Sequence, residues 1–84
     1  MPVVLVTCLI RLMTGPCYVG DEQSDEDLMK ALGATLGQQP GNHFKEWRSE
    51  EPPRVVLNKL DALGYKVISS TGIGQTCIWT CYKP

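Results

Sequence analysis

Tyr65-Lys66-Val67-Ile68-Ser69-Ser70-Thr71-Gly72-Ile73-Gly74-Gln75-Thr76-Cys77-Ile78-Trp79-Thr80-Cys81-Tyr82 decides the architecture. Two β-rich runs flank a short segment with two glycines, and glycine lets a backbone reverse tightly between antiparallel strands. The stretch therefore predicts a terminal hairpin with strands over 65–71 and 75–82. Alternation puts Cys77, Trp79 and Cys81 on one face of the last strand, and Ile78, Thr80 and Tyr82 on the other. The bend itself carries hydroxyls, the Gln75 amide and accessible glycine N–H groups, a set suited to a polar ligand or a partner's backbone.

Upstream, Pro52-Pro53-Arg54 reads as a helix start, because proline is tolerated in a first turn. Val56, Leu60 and Leu63 form its buried stripe, Lys59 and Asp61 point outward, and Gly64 is a C′ stop. The segment 43–48 predicts a strand with Phe44 and Trp47 on opposite faces. The polar stretch 38–42, with Pro40 and Gly41, predicts a loop. Ser24 reads as a helix N-cap, followed by Asp25, Glu26 and Asp27 where negative charge suits the helix dipole. Leu28, Ala31, Leu32 and Thr35 follow at helical spacing, and Gly33 and Gly37 keep that helix short.

The segment 3–11 is a first strand. Val3, Leu5, Thr7 and Leu9 lie on one face, and Val4, Val6, Cys8 and Ile10 on the other. Both faces are apolar, which predicts a central strand covered on two sides. Thr14-Gly15-Pro16 signals a turn and Cys17-Tyr18-Val19 a short returning strand. The expected order is ββαβαββ: a single α+β domain over 1–84 with a mainly antiparallel sheet and two helices.

A chain of 84 residues buries only about two-thirds of its unfolded surface, so its core is thin. Trp47, Trp79 and Phe44 do not all fit inside it, and an oligomer is the expectation. The net charge of −1, with scattered Lys and Arg, argues against nucleic acid. Residues 1–42 hold two basic and five acidic side chains, whereas residues 43–84 hold six and four. That polarity either orients docking or is incidental. The run at 1–12 is too short for a membrane span and is interrupted by Arg11.

Cys77 and Cys81, four residues apart on one strand, have Cα atoms about 13 Å apart at ~3.3 Å per residue. A disulfide needs less than ~7 Å, so those two do not pair with each other. Pairing of Cys8 with either across strands stays open, and buried reduced thiols are the expectation. Unpaired thiols point to the cytoplasm.

No catalytic set is assembled. The glycine bend lacks the GxxxxGK[ST] lysine and leads into a strand, which disfavours phosphate binding. His43 is the single histidine and has no orienting partner, so a surface role is expected and no metal site is read. Arg11, at the end of the first strand, is placed to hold a carboxylate through two parallel hydrogen bonds, or else is a solvated strand end.

The segments Ile10-Arg11, Gly15-Pro16, Val19-Gly20-Asp21-Glu22, Ser24-Asp25 and Leu28-Met29 form an ordered set. It continues with Leu32-Gly33-Ala34, Gly41-Asn42, Pro52-Pro53-Arg54, Lys59-Leu60, Thr71-Gly72, Gly74-Gln75-Thr76 and Trp79. In this set the chain resembles, from end to end, the GTP cyclohydrolase I feedback regulatory protein family. It departs from the family pattern chiefly over 35–51.

The resemblance implies a non-catalytic, ring-shaped homopentamer that caps the decameric enzyme. In such a complex tetrahydrobiopterin inhibits and L-phenylalanine stimulates, and zinc belongs to the enzyme, so this chain needs no cofactor. It also implies that Ile10, Arg11, Gly74, Gln75 and Thr76 contact phenylalanine where regulator meets enzyme. Ile73 and Trp79 are further apolar candidates, and a cytoplasmic or nuclear location is implied. Two rival readings are a stand-alone small-molecule binder using the glycine-rich hairpin and a thiol-based redox or metal protein.

Overall fold

Eight elements follow one another: β1 (Val3–Leu9), β2 (Cys17–Val19), α1 (Glu26–Ala31), β3 (Thr35–Gly37), β4 (Glu46–Ser49), α2 (Pro53–Ala62), β5 (Lys66–Ile73) and β6 (Thr76–Tyr82). The computed structural model describes residues 3–9, 13–38, 40–41 and 43–84. The strands form one six-stranded sheet in the order β3-β4-β2-β1-β6-β5, with every pairing antiparallel. The α+β class and the two helices agree with the sequence reading. The sheet has one strand more than expected: β3, a three-residue edge pairing Leu36 with Trp47, lies where the helical stripe was read to end at Thr35.

Both helices lie on one face of the sheet. Met29 from the first and Leu32 at its C-cap, and Val56 and Leu60 from the second, join Val4, Val6, Val19, Trp47 and Cys81 in a single buried cluster. α2 matches its sequence signals. Pro53 stands in its first turn, and Val56 and Leu60 are fully buried. Leu63 is the exception: it is the C-cap and is exposed. The Tyr65 N–H donates to the Leu60 carbonyl and the Gly64 N–H to that of Asp61, each at 3.0 Å. That pair of bonds is a Schellman stop, with Gly64 at φ +94° as C′. The first helix ends the same way, Ala34 bonding to Met29 and Gly33 to Lys30. Lys59 does not simply point outward, since it forms an ion pair with Glu51.

Two details of α1 correct the sequence reading. Ser24 is not its N-cap: the Ser24 hydroxyl accepts the Asp21 N–H at 2.9 Å, while the Asp21 carboxylate accepts the Gln23 N–H at 2.8 Å. The hydroxyl closes a turn over 21–24, and Asp25 takes the cap position without a side-chain cap bond. Of the expected stripe Leu28, Ala31, Leu32 and Thr35, Leu32 is fully buried, Leu28 is half-buried, and Ala31 and Thr35 are exposed; Met29, outside that stripe, is the other fully buried position.

β1 is central, flanked by β2 and β6, but it is covered on one face only. Val4, Val6 and Cys8 are buried, whereas Val3, Leu5 and Leu9 on the opposite face are 54%, 46% and 60% exposed. The expectation of cover on both sides fails because both helices pack on the same side. Of the three large aromatics, Trp47 is buried, Trp79 packs partly against the core and Phe44 is 50% exposed. At the other edge, β5 shifts register between Val67 and Ser69, so Ile68 is an extra residue in that strand.

The cysteines do not stay reduced as expected. Cys8 and Cys17 face each other across β1 and β2, with Cα atoms 4.8 Å apart, and form a disulfide. Such a pairing requires the register of the β1–β2 ladder, which a turn signal at 14–16 does not supply. Cys77 and Cys81 are free and, as their spacing on one strand requires, are not joined to each other.

Candidate functional site: the glycine turn beside the end of the first strand

β5 and β6 are joined by the two residues Gly74 and Gln75, with Ile73 opposite Thr76. Gly74 has φ +58°, and no non-glycine residue has positive φ among the described residues. Positive φ at the first central position alone is the pattern of a type II′ hairpin turn, which calls for glycine there. An added Cβ at Gly74 would meet no atom within 4 Å, and Gly74 and Gln75 are both exposed. The turn thus offers its amides and the Gln75 side chain to the outside.

The β1–β6 register places the turn. Leu9 pairs with Thr76, so the last residue of β1 lies beside the first residue after the turn. Ile10 and Arg11, read from sequence as part of the site, lie outside the described residues.

The remaining candidates divide between the two faces of the sheet. Thr76 shares the outer face with Leu9, since opposed residues of an antiparallel pair point the same way, and Ile73 opposes Thr76 on that face. Ile73 is exposed on the same outer face as the bare Val3, Leu5 and Leu9, with Thr76 between it and Leu9. Trp79 opposes Val6 and packs on the inner, helix-covered face. Ile73 and Thr76 therefore come together, and Trp79 does not join them; it borders a small crevice of about 170 Å³ with Ser70, Thr71, Gly72 and Cys77.

A larger cleft of about 520 Å³ lies toward the other edge of the sheet, lined by Glu22, Ser24, Glu26, Lys30, Thr35 and Trp47. The hydrogen bond and charge of Lys30, 2.9 Å away, hold the Glu26 carboxyl below the usual carboxylate range; Glu26 in turn raises Lys30. Both groups are exposed, and neither is poised as an acid or base in an enclosed site. His43 is exposed, as read from sequence. No helix among the described residues is long and apolar enough to cross a membrane. The sequence reading missed the bare outer face, although the two-sided apolar pattern of 3–9 was its visible signal.

A model of the GTP cyclohydrolase I feedback regulatory protein family matches residues 2–84. The chain is 52% identical over 83 residues to the GTP cyclohydrolase 1 feedback regulatory protein of Danio rerio, covering 99% of this chain and 93% of that protein. It is 53% identical over 83 residues to the proteins of the same name from Xenopus tropicalis and Xenopus laevis, covering 99% of both chains in each case.

Proposed function

Because the chain belongs to the GTP cyclohydrolase I feedback regulatory protein family, we propose that it is a non-catalytic partner of GTP cyclohydrolase I. Tetrahydrobiopterin inhibits the enzyme through this partner and L-phenylalanine stimulates it. The observation that carries the site is the pairing of Leu9 with Thr76, which sets the outward-facing Gly74-Gln75 turn beside the end of the first strand.

In this reading Ile10, Arg11, Gly74, Gln75 and Thr76 contact phenylalanine. Arg11 takes the carboxylate in two parallel charge-assisted bonds. Turn amides and the Gln75 side chain supply further polar contacts, and Ile73 offers an apolar one. The open surroundings of Gly74 support a pocket completed only when the enzyme docks. An effector enclosed between two proteins binds their complex better than either alone, so it strengthens association and biases the enzyme's conformation. A coupling of about 1–3 kcal/mol changes affinity by ~5–150-fold.

The bare face of Val3, Leu5 and Leu9 supports self-association, proposed as a homopentameric ring that caps the decameric enzyme. The cytoplasm is the proposed compartment, since GTP is an intracellular nucleotide; the Cys8–Cys17 bond leaves only Cys77 and Cys81 as unpaired thiols in its favour.

The deciding experiment measures cyclohydrolase activity on GTP with and without this chain, adding phenylalanine or tetrahydrobiopterin in turn. Stimulation by the first and inhibition by the second, both requiring the chain, are expected. Activity that ignores the chain under every condition overturns the assignment. Tight phenylalanine binding by the chain alone would favour a stand-alone binder.

A further inference from the structure

Three of the four cysteines lie in one row across three adjacent strands. Cys8 on β1 opposes Cys17 on β2 and, on its other side, Cys77 on β6. Directly opposed residues share a face, so all three side chains stand on the helix-covered side. Cross-strand partners have Cα atoms about 4.5–5.5 Å apart, within the span a disulfide bridges. Cys8 therefore has two neighbours within bonding reach and one bond to give.

We propose that Cys77 is a thiol-exchange site, at which the Cys8–Cys17 bond passes to Cys8–Cys77. Cys77 gives its proton to solvent and its thiolate attacks the Cys8 Sγ. The Cys8–Cys77 bond forms as the Cys8–Cys17 bond breaks. The electron pair of the broken bond stays on the Cys17 Sγ, which then takes a proton. The step is neutral in oxidation state and needs no further reactant.

Two observations beyond the register support it. The crevice of about 170 Å³ beside Trp79 reaches Cys77, which is only half-buried, so its proton has a way out to water. The Cys17 Sγ lies 3.3 Å from the Glu51 carbonyl oxygen, so the released thiol has an acceptor for its S–H. Cys81 has neither advantage: it opposes Val4 and is buried, and burial pushes its thiol up.

The exchange moves the covalent tie from the β1–β2 pair to the β1–β6 pair, one residue from Thr76. Disulfides that form in reducing compartments are usually transient, and a bond with two interchangeable partners has that character. The inference stands on the cysteine row alone and needs no enzyme partner.

The test uses the purified full chain without reductant. Acid denaturation freezes exchange, since the thiolate is the attacking species. Free thiols are then capped with N-ethylmaleimide, and linked peptides are mapped by mass. The wild type should yield two populations, one linked Cys8–Cys17 with Cys77 capped and one linked Cys8–Cys77 with Cys17 capped, while Cys81 is capped in both. Cys77→Ser should lose the second population entirely. Cys17→Ser, oxidised with glutathione disulfide and checked for folding by circular dichroism, should carry Cys8–Cys77. Finding that linkage in the wild type supports the exchange, and folded Cys17→Ser confirms that Cys8 and Cys77 are within reach; its absence from the wild type overturns it.

Discussion

Replacing Gly74 by alanine separates the strain of the turn from any crowding around it. At φ +58° an added Cβ has no neighbour within 4 Å, so no collision contributes. The cost is that of holding an L-residue in a sparsely populated backbone region, about 1–3 kcal/mol. Gly72, two residues earlier, is the control. It is not among the positive-φ glycines, and its added Cβ would sit 3.9 Å from the Thr76 carbonyl oxygen, an ordinary contact. Alanine there recovers part of the ~0.5–1 kcal/mol that glycine loses in a strand. The two substitutions therefore have opposite signs. Urea unfolding of both variants at one fixed protein concentration reads the difference, and the concentration matters because assembly contributes to apparent stability. In a domain of this size each kcal/mol corresponds to roughly 4–8 °C in melting temperature. A Gly74→Ala midpoint equal to the wild type, or a larger loss at Gly72 than at Gly74, refutes the reasoning.

Gln75→Ala should weaken the phenylalanine-dependent effect on the enzyme while leaving self-assembly intact; an unchanged effector response in the activity assay would discard Gln75 as a contact. Leu60→Ala, at a fully buried position of α2, should lower stability by about 2–5 kcal/mol in urea titration. Lys30→Ala should move the Glu26 carboxyl titration, followed by NMR, upward toward the ordinary range, because the Lys30 hydrogen bond and charge are what depress it. The folded value lies below the unfolded one, so the small benefit of this exposed pair is present above the ordinary carboxylate pKa. It is lost as pH falls through the depressed value.

What the sequence revealed was local. α2 carries its own start at Pro52-Pro53, its stripe at Val56 and Leu60 and its stop at Gly64, all within twelve or so residues, and each signal acts through near neighbours. The terminal hairpin is legible for the same reason, down to the face shared by Cys77, Trp79 and Cys81. What was hidden depends on partners distant in the chain. β3 exists because Leu36 finds Trp47, and its three exposed residues have no periodicity of their own. The Ser24 hydroxyl had two local uses, and the Asp21 N–H won over the helix end. Apolar residues on both faces of 3–9 show that both faces seek cover, without telling a helix of the same chain from another molecule. For the candidate site, the nearness of strand end and turn follows from the β1–β6 register, whereas the inward direction of Trp79 needed the sheet to be assembled.

The extra residue at Ile68 has a consequence for behaviour in concentrated solution. β5 is an outer margin of the sheet, eight residues long, with every residue exposed. A flat margin of that length would be a template on which further copies accrete, one hydrogen-bonded ribbon after another. The irregularity between Val67 and Ser69 spoils the repeat that such a template requires, and Lys66 adds a charge at its start. Fibrous growth along this rim is thereby discouraged.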